Sequence, residues 1–111
     1  MGAVSFVVTA TGVASGESLP QLTVFPARPN PAPSATTIHL LIPRPGRVEA
    51  DVFDVSGRRV RVLSRGLMEG GAQTLSWDGR DQRGNPAGSG VYFVRVRNEG
   101  NERTLKTVLV R

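Results

Sequence analysis

A chain of 111 residues has room for one domain and little else, and at 39% hydrophobic residues it is too apolar for a disordered tail. The absence of cysteine excludes disulfides, thiolate metal sites and a thiol nucleophile. The net charge of +5 comes almost wholly from arginine, with Lys106 the only lysine; aromatics at 5% are too few for a row of base-stacking platforms, so nucleic acid is not an expected partner.

No segment approaches the ~18 apolar residues of a transmembrane helix. The N-terminus lacks the positive region of a signal peptide, and its apolar run is broken by Ser5, Thr9, Thr11 and Gly12. Met1-Gly2 reads as an added start, which places any export signal upstream.

Residues 3–13 read as a strand, with Val4, Phe6 and Val8 on one face and Ser5, Val7 and Thr9 on the other. Residues 14–21 read as a linker, so residues 1–21 stand apart from a domain spanning 22–111. The 1–21 piece is the end of a preceding domain, an added strand, or a strand donated to a neighbour. A β segment opens at Leu22 to Phe25. Four prolines between Pro26 and Pro33 then exclude a central strand, because proline donates no ladder hydrogen bond.

Thr36 to Ile42 is a strand, and Pro43 to Gly46 is a turn. Val48 to Val55 alternates clearly, with Val48, Ala50 and Val52 inward and Glu49 and Asp51 on a solvated outer face. Asp54-Val55-Ser56-Gly57 makes a hairpin turn in which Gly57 takes positive φ. Arg59 to Leu63 returns with Val60 and Val62 inward. After Gly70-Gly71, residues Gln73, Leu75 and Trp77 share a face. Asp78 to Ser89 is a polar loop, and Gly90 to Arg97 and Arg103 to Val110 are the last strands. Thirteen glycines and eight prolines, with no capped helical pattern, leave an all-β chain. The spacing implies an antiparallel Ig-like or fibronectin-III-like sandwich of about seven strands.

Few residues offer chemistry. Asp78, Asp81 and Asn85 are a weak calcium candidate. They lack the alternate-residue spacing and closing glutamate of a calcium loop, and Asx turns explain them better. His39 sits alone in a strand. The serines show no nucleophile elbow, and Glu49 with Asp51 read as a solvated face rather than an acid/base pair. Arg58, Arg59 and Arg61 form the densest basic cluster, within a scatter that fits a soluble surface better than an anion or polysaccharide site. No catalytic residue, metal or cofactor is expected.

One resemblance spans roughly residues 22–111. The ordered set Pro29-Asn30-Pro31, Thr36-Thr37-Ile38, Pro43-x-x-Gly46, Val52-Phe53-Asp54-Val55-x-Gly57-Arg58, Val60-x-x-Leu63, Gly66, Gly70-Gly71, Trp77-Asp78-Gly79-Arg80-Asp81, Gly84, Gly88-Ser89-Gly90-Val91-Tyr92 and Lys106-x-x-x-x-Arg111 resembles C-terminal sorting domains of the type IX secretion system. It is equally similar to the Ig-like domain of flagellar hook-capping proteins. Phe53 stands where tyrosine is common in that family, and Gln73 where histidine often occurs.

The resemblance implies a non-catalytic module carried by a larger secreted cargo protein to the outer cell surface. Its implied partners are an outer-membrane translocon and a sortase-like protease. It implies recognition through Gly90, Tyr92, Lys106 and Arg111. It also implies structural roles for Pro29, Asn30 and Pro31 as a rigid lead-in, for Gly57 and Arg58, for Trp77 as a core plug, and for Asp78 and Gly79 in the loop. Gly90 is expected to admit a close backbone and Tyr92 to cover an edge. The alternative is a structural assembly module, a spacer, hook-cap-like element or filament subunit, that self-associates by exchanging residues 3–13.

Overall fold

The computed structural model describes residues 21–111, so the strand expected at 3–13 and all but the last residue of the linker expected at 14–21 lie outside the described residues. The described residues form an all-β, Ig-like sandwich of seven strands. They are β1 (Thr23–Val24), β2 (Thr36–Ile42), β3 (Gly46–Asp54), β4 (Arg59–Met68), β5 (Gly71–Trp77), β6 (Gly90–Asn98) and β7 (Asn101–Leu109). One antiparallel sheet runs β1-β2-β5, and the other runs β4-β3-β6-β7.

Alternation builds the core. Ile38, Leu40 and Ile42 of β2 and Leu75 and Trp77 of β5 face Val48, Ala50 and Val52 of β3 and Val94 and Val96 of β6, all buried. Each alternates with residues that look outward, as period-two side chains must.

The proline-rich stretch closes one side of the sandwich. Arg28 bridges to Thr37 of β2, and Ala32 then bridges to Leu109 of β7, so the segment passes from one sheet to the other. Ala32 donates to Val108 O at 2.7 Å and accepts from Val110 N at 2.9 Å. Asn30 adds a side-chain rung, donating to Lys106 O (3.1 Å) and accepting from Val108 N (2.9 Å). The expected lead-in is therefore also a side-chain and backbone seam along β7.

Three expectations are corrected. β4 continues to Met68, five residues past Leu63, because it pairs with β3 all the way to Gly46. Two register shifts along β3 and β4 put Val62 opposite Asp51, while Val60 and Leu63 pack on the core; a bulge re-aims the residues after it. Asp51 is not solvated: its side chain is 2% exposed, with Arg65 Nη2 at 2.7 Å and Arg59 Nη1 at 4.0 Å from Oδ1. The Arg65 contact is an ion pair without hydrogen-bond alignment. Removing a carboxylate from water costs several kcal/mol, so cations around it are what make the burial tolerable.

The hairpin after β3 forms as the sequence implies. Gly57 takes φ +87°, and Asp54 Oδ1 accepts from Ser56 N, Ser56 Oγ and Arg58 N at 2.9, 2.6 and 3.1 Å. The Ser56 hydroxyl, with the Arg58 and Ser56 amides and the Arg58 guanidinium, holds the Asp54 carboxyl below its ordinary 3.8. A depressed folded pKa means the unfolded chain binds the proton first. The turn's contribution is thus complete above 3.8 and is lost as pH falls through the lower folded value. Urea midpoints followed across the acid range should fall less steeply in Asp54→Asn than in the parent, and parallel slopes would refute this.

Candidate functional site

The motif residues converge on one end of the sandwich. Trp77 ends β5 fully buried, and its ring meets Tyr92 of β6 edge-on with centroids 5.0 Å apart. The indole Nε1 donates to Arg80 O at 2.9 Å, and the Tyr92 hydroxyl donates to Gly88 O at 2.6 Å. Two core aromatics therefore hold both ends of the 78–89 loop.

Inside that loop, Asp78 Oδ1 accepts from Arg80 N at 3.0 Å, and Asp81 Oδ1 accepts from Arg83 N and Asn85 N, both at 2.9 Å. These are Asx-type turns, with Asn85 contributing its backbone amide. Arg61 of β4 reaches across to Asp78 Oδ1 at 2.9 Å and to the carbonyls of Arg80 and Asp81 at 3.3 Å. Arg58 pairs with Asp54 at 3.2 Å, and Arg59 lies 4.0 Å from Asp51. Each member of the basic cluster thus faces a carboxylate. The depression between this hairpin and the loop is lined by Arg58, Arg59 and Arg83 against Asp54 and Asp81. Among the described residues no three His, Asp or Glu side chains are grouped for a metal ion.

Arg111 clasps the loop from the other side. Its Nε donates to Ala87 O at 2.7 Å, its Nη2 to Gly79 O at 2.6 Å, and its backbone N–H to Ser89 Oγ at 2.9 Å. Gly79 has φ +77°, and a Cβ there would stand 2.5 Å from Ser34 O and 2.8 Å from Arg111 Nη2. The close backbone approach expected at Gly90 is found at Gly79. Gly90 has open space around it, and its φ of +153° is what it supplies.

The four residues expected to be recognised do not form one surface. Tyr92 is 8% exposed and lies in β6, a central strand flanked by β3 and β7, so it fills core rather than covering an edge. Gly90 stands opposite Leu109, while Lys106 is exposed and opposite Phe93 on the outer face of the four-stranded sheet. On that face Phe53 stands opposite Phe93, and the Arg95 guanidinium lies 4.7 Å over the Phe53 ring. Sequence reasoning missed the parts played by Asn30, Ser34, Arg61 and Ser89. Their partners are distant in the chain, and only the Asn within Pro-Asn-Pro hinted at a fixed amide.

These two sheets, with the loop and clasp at one end, define an Ig-like β-sandwich module. The family model of the FlgD Ig-like domain matches residues 34–102. That is more than half of the chain, and the chain belongs to this family. Among curated proteins nothing matches it. Three solved structures are similar. PorZ, an essential surface component of the type IX secretion system of Porphyromonas gingivalis, superposes with a TM-score of 0.55 at 23% identity, covering 81% of this chain and 11% of PorZ. FlgD from P. aeruginosa gives 0.54 at 27% identity, over 68% of this chain and 60% of that one. Dimeric latent PorU from P. gingivalis gives 0.61 at 20% identity, over 94% of this chain and 10% of PorU. The chain therefore spans a small part of PorZ and PorU and less than two thirds of FlgD.

Proposed function

We propose that residues 22–111 act as a non-catalytic sorting and anchoring module that directs a larger secreted protein through the type IX system to the cell surface. The observation that carries the reading is the ordered motif set closed by the Arg111 clasp on the 78–89 loop. The shared fold with domains of PorZ and PorU supports it. In this reading Tyr92 and Gly90 shape the end of the sandwich, Arg111 locks it, and Lys106 offers an exposed charge to the secretion machinery. The translocon and a sortase-like protease are the proposed partners, and the cargo is the upstream protein.

Fusing residues 22–111 to an exported reporter in a type IX-competent cell should bring the reporter to the surface. Retention in the periplasm would refute the reading. Lys106→Glu should lower surface reporter several-fold without moving the urea midpoint, since exposed substitutions usually stay within about 0.5 kcal/mol.

A further inference from the structure

A β-sandwich has four sheet edges, and three are guarded here. β1 is two residues long. β4 carries two register shifts and the charges of Arg59, Arg61 and Arg65. β7 is covered along its last residues by Asn30 and Ala32, and presents Glu102, Arg103 and Lys106. Short strands, bulges and charges are the usual means of keeping other chains off an edge. β5 has none of them. Gly71–Trp77 contains no proline and no charged residue, and its register with β2 is unbroken. Among the described residues it pairs with β2 alone. Such an edge is a template for one more strand.

The face beside this edge narrows the occupant. The outward residues of β1, β2 and β5, with Phe25 beside β1, are uncharged and include His39, Leu41, Ala72, Thr74 and Ser76; the charge next to them, Arg28, bridges Thr37 on the side of β2 away from β5. Phe25 and Leu41 are each 42% exposed. An uncharged strand fits here without desolvating an ion. Residues 3–13, AVSFVVTATGV, carry no charge and alternate in the strand period. Val4, Phe6 and Val8 would extend the core, and Ser5, Val7 and Thr9 would continue the uncharged face.

The register makes the connection short. Thr23 stands opposite Leu41, and Leu41 opposite Ala72, so the chain enters β1 at the end of the sheet where β5 begins. A strand added antiparallel to β5 ends at that same end. Three interstrand spacings, about 14 Å, separate it from β1. Residues 14–22 reach about 30 Å when extended. So short a tether keeps the strand at a millimolar-range effective concentration near its own edge. We propose that residues 3–13 add to β5 of the same molecule as the fourth, antiparallel strand of this sheet. The inference is independent of the sorting role.

Amide hydrogen exchange on the full chain tests it. Alternate amides of β5 face β2, and the rest face the open edge. Both sets should be protected, and dilution should leave the protection unchanged. In the Phe6→Pro, Val7→Pro double variant only the edge-facing set should lose protection, by about tenfold or more. The β2-facing set reports whether the sandwich remains folded. Edge-facing amides that exchange freely in the full chain would overturn the proposal, whatever the variant does. Protection that fades on dilution would assign the edge to a second copy and overturn the intramolecular strand. Loss of protection in β4 or β7 would place the segment elsewhere.

Discussion

Trp77→Ala should lower the unfolding free energy by about 4 kcal/mol, the range for deleting a large buried aromatic. The side chain is fully buried, so truncation leaves a cavity between the sheets that the flanking strands cannot collapse to fill. The edge-on contact with Tyr92 at 5.0 Å goes with it. So does the donor to Arg80 O, which helps hold the start of the 78–89 loop. In a domain of this size the melting temperature should fall by roughly 20 °C. Trp77→Phe separates the contributions: it keeps a ring in the core and loses the indole N–H, for about 1–2 kcal/mol. Urea or thermal unfolding of the two variants side by side is the measurement. Equal losses would mean that the hydrogen bond, rather than the packing, is what Trp77 supplies.

Gly79→Ala should cost about 3 kcal/mol, far more than an added methyl group usually does at a loop position. Two effects combine. A residue with a Cβ at φ +77° carries about 1 kcal/mol of backbone strain. The Cβ would also stand 2.5 Å from the Ser34 carbonyl oxygen, a backbone atom that can yield only by shifting the 29–34 segment on β7. Gly84 provides the internal control, since its φ is +89° with open space around it. Gly84→Ala should therefore cost only about 1 kcal/mol, the strain alone. The difference between the two alanine variants in urea unfolding isolates the close approach, and equal costs would remove it. Because the Gly79 carbonyl also accepts from Arg111, Gly79→Ala should loosen the C-terminal clasp, read as faster exchange at the Arg111 amide.

The arginine surplus does not gather into one basic patch. Arg47 and Arg97 flank Glu49 at 3.0 and 2.8 Å, Arg65 lies against Asp51, and Arg61 against Asp78. The hydrogen bond from Arg47, reinforced by the charge of Arg97, holds the Glu49 carboxyl below its ordinary range. Arginine suits these places because its planar fork reaches carboxylates and backbone carbonyls together, as Arg61 and Arg111 both show.

The amino-acid sequence by itself determined the strands from Leu22 onward except the far half of β4, the 54–57 hairpin and the inward set of Val48, Ala50, Val52, Leu75 and Trp77. It also pointed to Asx turns at Asp78 and Asp81. Period-two alternation and turn chemistry act over a few residues, so they can be read without knowing what lies opposite. Only the tertiary structure decided the rest, because the partners are far apart along the chain. Asn30 bonds a backbone amide 78 residues away, and Arg111 a carbonyl 32 residues away. The two register shifts of β3 and β4 turned Val62 out and Leu63 in, which alternation within β4 alone cannot foresee. Asp51 alternates like a surface residue, yet it is buried, because β4 and its arginines lie beside it in space. Gly79 and Gly90 look alike as glycines at the two ends of the 78–89 loop. Only the approach of the Ser34 backbone makes the first one irreplaceable.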